Sequence, residues 1–250
     1  MIIVKAFDIK DNWEREKEGP LIRAVNLLYP HRCPLCRQVL PDQHRLVCAA
    51  CEKKLRQVRA SRCMLCSRPV EPEEEYCQEC RNHPRAFEKG QGIFLYDDMW
   101  KKSIEEYKFR GAREYSEFYA RCMVLYGQEM ISAFRPDFLC GVPMYWKKQR
   151  QRGFNQSVLL AEKISQQTSI PVNKKAVVKI RPTKAQKTLG RRERRRNLEE
   201  AFRVTERLHG ERILLVDDIF TTGSTVDALA SALRKNGASR VAFLTLCIVP

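Results

Sequence analysis

The sequence predicts an α/β protein: a parallel sheet flanked by helices, preceded by a small cysteine-rich module. Three observations predict it. From Gln91 onward, short apolar runs of strand length alternate with longer stretches of helical period, the pattern of strands joined by crossover helices. Between residues 31 and 85, eight of the eleven cysteines fall in four C-x-x-C pairs, with little apolar sequence to build a large core. Near the end, LLVDDIFTTGST (214–225) runs from an apolar strand through two acids into hydroxyls around a glycine.

Taken in order, residues 1–30 form a leader of mixed polarity ending in a short helical stretch, LIRAVNLLYP, residues 31–85 form the cysteine module, and residues 91–250 form the α/β domain. QGIFLYDD reads as a strand. Asp98 is placed to cap a helix through MWKKSIEEYKF, with Trp100, Ile104 and Tyr107 on one face. A second helix fits EYSEFYARCMVLYGQEMISAF, where Tyr115, Phe118, Tyr119, Cys122 and Tyr126 recur at helical spacing. DFLCGVP is a buried strand, NQSVLLAEKISQQ a helix and AVVKI a strand leading into a basic loop. RILLVDD is then a strand ending at its acids, GSTVDALASALRKNG a helix with Val226, Leu229, Ala230 and Leu233 on one face, and SRVAFLTLCIV the last strand. Gly237 stands where a helix stop belongs.

The 250 residues carry a formal charge of +16. Arg181 to Asn197 alone holds eight Lys/Arg against one Glu. Such an excess suits a polyanion, either nucleic acid or a phosphorylated metabolite, although a solvated, self-repelling loop has the same composition. The start of the chain shows no signal-peptide pattern, and apolar runs such as FLTLCIV are far short of a membrane span. The expected location is the cytoplasm.

The pairs Cys33/Cys36, Cys48/Cys51, Cys63/Cys66 and Cys77/Cys80 are separated by eleven, eleven and ten residues. A C-x-x-C turn brings two thiolates to one ion, and two such turns complete a tetrahedral shell. Eight thiolates therefore predict two structural zinc ions with no open position for catalysis. Redox dithiols come singly and iron–sulfur spacings are tighter. Sequential pairing gives two stacked ribbons and interleaved pairing a cross-brace; the sequential arrangement is the expectation here. Cys122, Cys140 and Cys247 lie in apolar patterns and read as core.

The acid–hydroxyl stretch has neither G-x-x-x-x-G-K-[ST] nor G-x-G-x-x-G after its strand. Its physics is nonetheless that of an anion site. A helix starting near Gly223 offers free N–H groups and a positive dipole end, and Thr221, Thr222, Ser224 and Thr225 add hydroxyls. Asp217 and Asp218 would repel a phosphate but accept hydrogen bonds from vicinal sugar hydroxyls. A ribose 5-phosphate satisfies both halves, because the sugar separates the phosphate from the carboxylates.

On these residues VDDIFTTGST resembles the phosphoribosyl pyrophosphate (PRPP) signature of type I phosphoribosyltransferases. VPMYWKKQRQRGFNQS (142–157), YDDMWKKSIEEYKFRG (96–111) and the spaced set Lys184, Gln186, Leu189, Arg192, Asn197 and Phe202 resemble the ComF family. The resemblance covers the chain from about Cys33. It implies a type I phosphoribosyltransferase-like sheet behind a double zinc ribbon. It also implies that Asp217 and Asp218 hold the ribose hydroxyls, that Thr221, Thr222, Gly223, Ser224 and Thr225 hold the 5-phosphate, and that Mg²⁺ accompanies PRPP. The turn Val142, Pro143, Met144 and Tyr145 would contact pyrophosphate, with Lys147, Arg150 and Arg152 supplying charge. Lys184, Gln186, Arg191 and Arg192 would lie on the flexible loop that excludes water from the site. RGFNQ also reads as plain helix capping by Asn155 with Phe154 as a staple.

The family further implies natural transformation, with single-stranded DNA, a competence helicase and other DNA-uptake proteins as partners. Tyr145, Trp146 and Phe154 interleaved with cations suit base stacking along a single strand, and equally suit core packing. No constellation selects an acceptor base or amine. Two functions therefore stand side by side: a PRPP-binding adaptor in DNA handling, and an active transferase.

Overall fold

The structure is a computed structural model that describes residues 30–42, 45–58, 61–182, 198 and 200–250. Apart from Pro30, the expected leader lies outside the described residues, as do Lys184, Gln186, Arg191 and Arg192 of the basic loop. In chain order the elements are α1 (Ala49–Glu52), α2 (Gln78–Asn82), β1 (Lys89–Leu95), α3 (Asp98–Phe109), α4 (Tyr115–Phe134), β2 (Phe138–Gly141), α5 (Trp146–Arg152), α6 (Gln156–Thr168), β3 (Val177–Lys179), β4 (Phe202–Val204), β5 (Arg212–Phe220), α7 (Ser224–Lys235) and β6 (Arg240–Ile248).

Strands β1, β6, β5 and β2 form one sheet in that order, all neighbours parallel. A strand covered on both faces reads as a continuous apolar run, as β5 and β6 do. Leu214, Val216, Ala242 and Leu244 point into a core shared with α3, α4 and α6. Their neighbours Ile213, Leu215, Val241 and Phe243 point into a second core with α7, β3 and β4. Each fully buried Leu, Ile, Val or Phe side chain among them stabilises the fold by about 1.5–3 kcal/mol.

The cysteine module is divided between these two layers. Cys33, Leu35, Leu40, Val47 and Cys51 join the first core, whereas Val58, Cys63, Cys66, Cys77 and Cys80 join the second together with Phe87. Between the halves the Val58 amide donates to the Ile93 carbonyl at 3.2 Å, and Gln57 bridges Phe94. The chain thus crosses β1, the outer strand, and covers an edge that would otherwise present unpaired backbone groups.

Several expectations change in detail. Asp97 rather than Asp98 caps α3, accepting from the Trp100 amide at 2.9 Å. AVVKI does not enter the parallel sheet: β3 pairs antiparallel with β4, and the bond from the Ile180 amide to the Ala201 carbonyl closes a stem at the base of the basic loop. A three-residue apolar strand cannot announce its partner, and the parallel position beside β2 goes instead to Val172, which bridges Leu139. Helix α5 was not expected because it buries no residue, so the sequence carries no apolar period there. Strand β5 continues past its acids to Phe220, held by pairing of Ile219 with Cys247 and Phe220 with Ile248. Among the described residues no helix is long and apolar enough to cross a membrane.

Candidate functional site

After β5 the chain returns through α7 to β6 on one side, and after β2 it passes through α6 to Val172 on the other. Between β5 and β2 the connections therefore part in opposite directions. The carboxyl ends of parallel strands at such a switch point form the crevice where ligands bind in open α/β sheets. Asp217 and Asp218 lie immediately past the last β2–β5 pair, Gly141 with Val216.

Successive side chains on a strand diverge, and the two acids take separate partners. Asp217 Oδ1 accepts from Ser157 Oγ at 2.6 Å and from the Asp218 amide at 2.9 Å. Asp218, 5% exposed, pairs through Oδ1 with Lys108 Nζ at 2.7 Å. Burial, reinforced by the charge of Asp218, pushes the Asp217 carboxyl up to about 7. The unfolded chain releases this proton near pH ~4. Stability therefore falls as pH rises from there to about 7, since the folded state keeps a proton that the unfolded state has lost. Asp217→Asn should melt about 5 °C higher than the parent at pH 8 and show no gain at pH 4, read from thermal unfolding curves.

Beyond Phe220 the chain reverses at Gly223, whose φ of 76° lies in the left-handed region and whose missing Cβ would sit 2.5 Å from the Phe220 ring. Gly223 is the N-cap of α7. Thr221, Thr222 and Ser224 are exposed, Thr225 is half-buried, and Thr222 Oγ1 and Ser224 Oγ lie 2.9 Å apart. Hydroxyls and the first amides of α7 thus share one end of the helix, an arrangement that suits an anion.

On the β2 side, α6 is pressed against the strand end: a Cβ at Gly141 would lie 2.6 Å from Val158 backbone atoms. Asn155 fixes this junction. Its Oδ1 accepts from the Ser157 and Val158 amides, while its Nδ2 donates to the Val142 carbonyl at 3.1 Å, and Phe154 is buried against Tyr107. The capping role foreseen for RGFNQ is what the geometry displays. The turn Val142–Tyr145 follows, tied to β5 by the bond from the Val142 amide to the Val216 carbonyl.

Helix α5 then carries the cations. Lys147 lies over the Trp146 ring at 5.4 Å, and Lys147, Lys148 and Arg150 are all exposed. Lys148 and Arg152, one helical turn apart, are the two on which the charge of Asp218 acts. Burial, with the charges of Arg152 and Lys108, holds the Lys148 ammonium below its usual range, and Asp218 opposes that shift. Burial also lowers Lys179, against the pull of Asp217. Lys108, Lys148, Ser157 and Lys179 were not singled out from the sequence. The i, i+4 spacing of Lys148 and Arg152 was the available signal once α5 is recognised as a helix. A cavity of about 560 Å³ opens beside the turn, lined by Met144, Trp146, Phe154, Val158, Lys174 and Lys179. Its walls include neither the acids nor the hydroxyl loop.

The cysteines form two clusters, Cys33/Cys36/Cys48/Cys51 and Cys63/Cys66/Cys77/Cys80, with the sulfurs of each within 4.8 Å of one another. Pairing is therefore sequential. Cys36 and Cys48 sulfurs lie 3.7 Å apart and those of Cys66 and Cys77 3.6 Å apart. A tetrahedral zinc–thiolate shell has edges of roughly 3.8 Å, so the donor sets fit zinc. Cys122, Cys140 and Cys247 are core residues whose thiols burial pushes up.

Residues 24–81 match the family model for a double zinc ribbon domain, and residues 155–250 match that for a phosphoribosyl transferase domain. Over 227 residues the chain is 32% identical to "DNA utilization protein YhgH" of Salmonella typhimurium, covering 88% of this chain and 98% of that protein. It is 27% identical over 216 residues to "Competence protein F" of Haemophilus influenzae, covering 84% of this chain and 93% of that protein.

The chain belongs to the ComF family. A further ComF relative, "Competence protein ComFC" of Bacillus subtilis, is 28% identical over 229 residues, covering 82% of this chain and 85% of that protein. The α/β unit is thus a phosphoribosyltransferase-type fold behind a double zinc ribbon, as VDDIFTTGST and the cysteine spacing had implied.

Proposed function

We propose that this ComF-family chain binds PRPP or ribose 5-phosphate at the carboxyl ends of β5 and β2 and uses that site in the handling of single-stranded DNA during uptake. The observation that carries the reading is the placement of the two acids on β5 directly before a hydroxyl loop that opens α7. Asp217 and Asp218 accept the ribose hydroxyls, and residues Thr221 to Thr225 take the 5-phosphate. Mg²⁺, arriving with PRPP, neutralises the pyrophosphate. Lys148, Arg152 and Lys179 supply fixed positive charge on the same side.

That cationic shell also favours a second reading, an active transferase, because it suits a departing pyrophosphate beside acids that stabilise an oxocarbenium-like sugar. The division of labour proposed is a ribbon module over 31–85, a transferase-like unit over 91–250 and a leader over 1–30. The names of the relatives, which speak of DNA utilization and competence, support the DNA role; a cytoplasmic place beside a competence helicase and other uptake proteins belongs to the same proposal. Of the three aromatics Tyr145, Trp146 and Phe154, Trp146 at 56% exposure is the one most open to solvent for stacking on bases, with Tyr145 beside it at 5.8 Å. Phe154 is core and takes no part.

The deciding assay follows pyrophosphate release from PRPP across a panel of bases and amines, with and without single-stranded DNA, alongside calorimetric titration with PRPP. Binding without turnover identifies the adaptor, and release with one acceptor identifies the transferase. Absence of PRPP binding overturns the site. Single-stranded DNA affinity should fall about tenfold or more between 50 and 200 mM salt, through counterion release at several phosphates. A flat response counts against the DNA role.

A further inference from the structure

The second ribbon reaches into the hydroxyl loop. Arg68, two residues beyond Cys66, donates through Nη2 to the Thr221 carbonyl oxygen. Arg85, five beyond Cys80, donates through Nη2 to the Thr222 carbonyl oxygen at 3.5 Å. The Arg85 side chain is only 6% exposed, lies 3.7 Å from Glu79, and its charge also acts on Cys80, a member of the second cluster. The Nε atoms of both arginines are buried without a hydrogen-bond partner. Next to Arg85, the Ala86 amide donates to Asp227 Oδ1 in the first turn of α7 at 2.7 Å. The Phe87 ring meets Phe220 edge-on at 6.3 Å, the same ring against which Gly223 closes.

Withdrawing the Arg85 side chain and the Nε of Arg68 from water costs free energy, and the fold of a four-cysteine ribbon does not require it. Their placement makes sense from the loop's side. In a planar trans peptide the carbonyl of one residue and the N–H of the next point in opposite directions, and the chain contains no cis bond among the described residues. Fixing the carbonyls of Thr221 and Thr222 on the ribbon side turns the N–H groups of Thr222 and Gly223 to the other side. Successive N–H groups facing one way form an anion-binding concavity.

We propose that the second ribbon is a brace for the hydroxyl loop, with Arg68 and Arg85 as positioning residues that aim its N–H groups at the sugar phosphate. The inference rests on the reading of residues 221–225 as the phosphate site, and it gives the ribbon a part in ligand binding beyond its own stability. Because linkage is reciprocal, a bound sugar phosphate also strengthens the docking of the ribbon.

The test uses the full chain with Arg68→Ala and Arg85→Ala combined, and the corresponding lysine pair. Each is titrated with ribose 5-phosphate and with inorganic phosphate, zinc is counted, and amide exchange at Thr222 to Thr225 is followed without ligand. The alanine pair should keep two zinc per chain, bind both ligands about tenfold more weakly and exchange these amides faster. The lysine pair should recover part of the loss, since one donor returns without the fork. Asp217→Asn with Asp218→Asn should instead weaken ribose 5-phosphate and spare inorganic phosphate. Should the alanine pair lose zinc, the lysine pair carries the comparison. Unchanged affinity for both ligands in the arginine variants overturns the brace. If the parent binds neither ligand, the proposed function fails separately, and exchange alone decides: faster exchange supports the brace and unchanged exchange overturns it.

Discussion

Asp217→Asn combined with Asp218→Asn removes measurable PRPP binding from a calorimetric titration, while the variant keeps its fold and its zinc. A hydrogen bond to an ionised acceptor contributes about 1.5–3 kcal/mol, so at pH 8, above the value of about 7 to which Asp217 is raised, neutralising both acceptors of the ribose hydroxyls weakens binding by about a hundredfold or more. The local frame survives the change, because an asparagine oxygen at 217 can still accept from Ser157 Oγ and the neighbouring amide. The single variants should part company in stability. Asp217→Asn relieves a half-buried carboxyl that resists ionisation, whereas Asp218→Asn strips Lys108 of its counter-charge. PRPP affinity equal to that of the parent would falsify the assignment of the sugar to these acids.

Replacing Cys66 and Cys77 by serine has the largest expected effect on stability. Structural zinc sites contribute on the order of 10 kcal/mol of folding free energy, and loss of two thiolates dissolves the tetrahedral shell. The second cluster is buried throughout and continuous with Phe87, which packs edge-on against Phe243 at 5.1 Å in the sheet. Its collapse therefore uncovers the part of the central sheet under Phe87 as well as the ribbon. Elemental analysis should fall from two zinc per chain to one, and the melting point should drop by about 20 °C or more. Serine at Cys36 and Cys48 should also remove one zinc but cost less, because Cys36 is exposed and Cys48 half-buried. Retention of two zinc ions in the Cys66/Cys77 variant would show that the ligand sets are drawn wrongly.

What the sequence revealed depended on periodicity and spacing. The buried strands β5 and β6, the helices α3, α4, α6 and α7, and both cysteine clusters all carry a repeat that a single chain exposes to view. Helix α5 carries none, since all its residues are at least partly in water, so of its cations Lys147, Arg150 and Arg152 were named from the sequence and Lys148 was not. The ion pair between Lys108 and Asp218 joins residues 110 positions apart, and the contact of Arg68 with Thr221 spans 153. Such pairings are created by the layering of the fold and leave no local trace. The antiparallel stem of β3 and β4 was hidden for the same reason, its second strand lying beyond the basic stretch.

The most direct test of the central claim is a crystal structure of the full chain grown with ribose 5-phosphate. The phosphate should rest on the amides and hydroxyls of Thr222 to Thr225, with the 2- and 3-hydroxyls on Asp217 and Asp218. A sugar bound elsewhere, or an empty crevice between β5 and β2 at saturating ligand, would contradict the account.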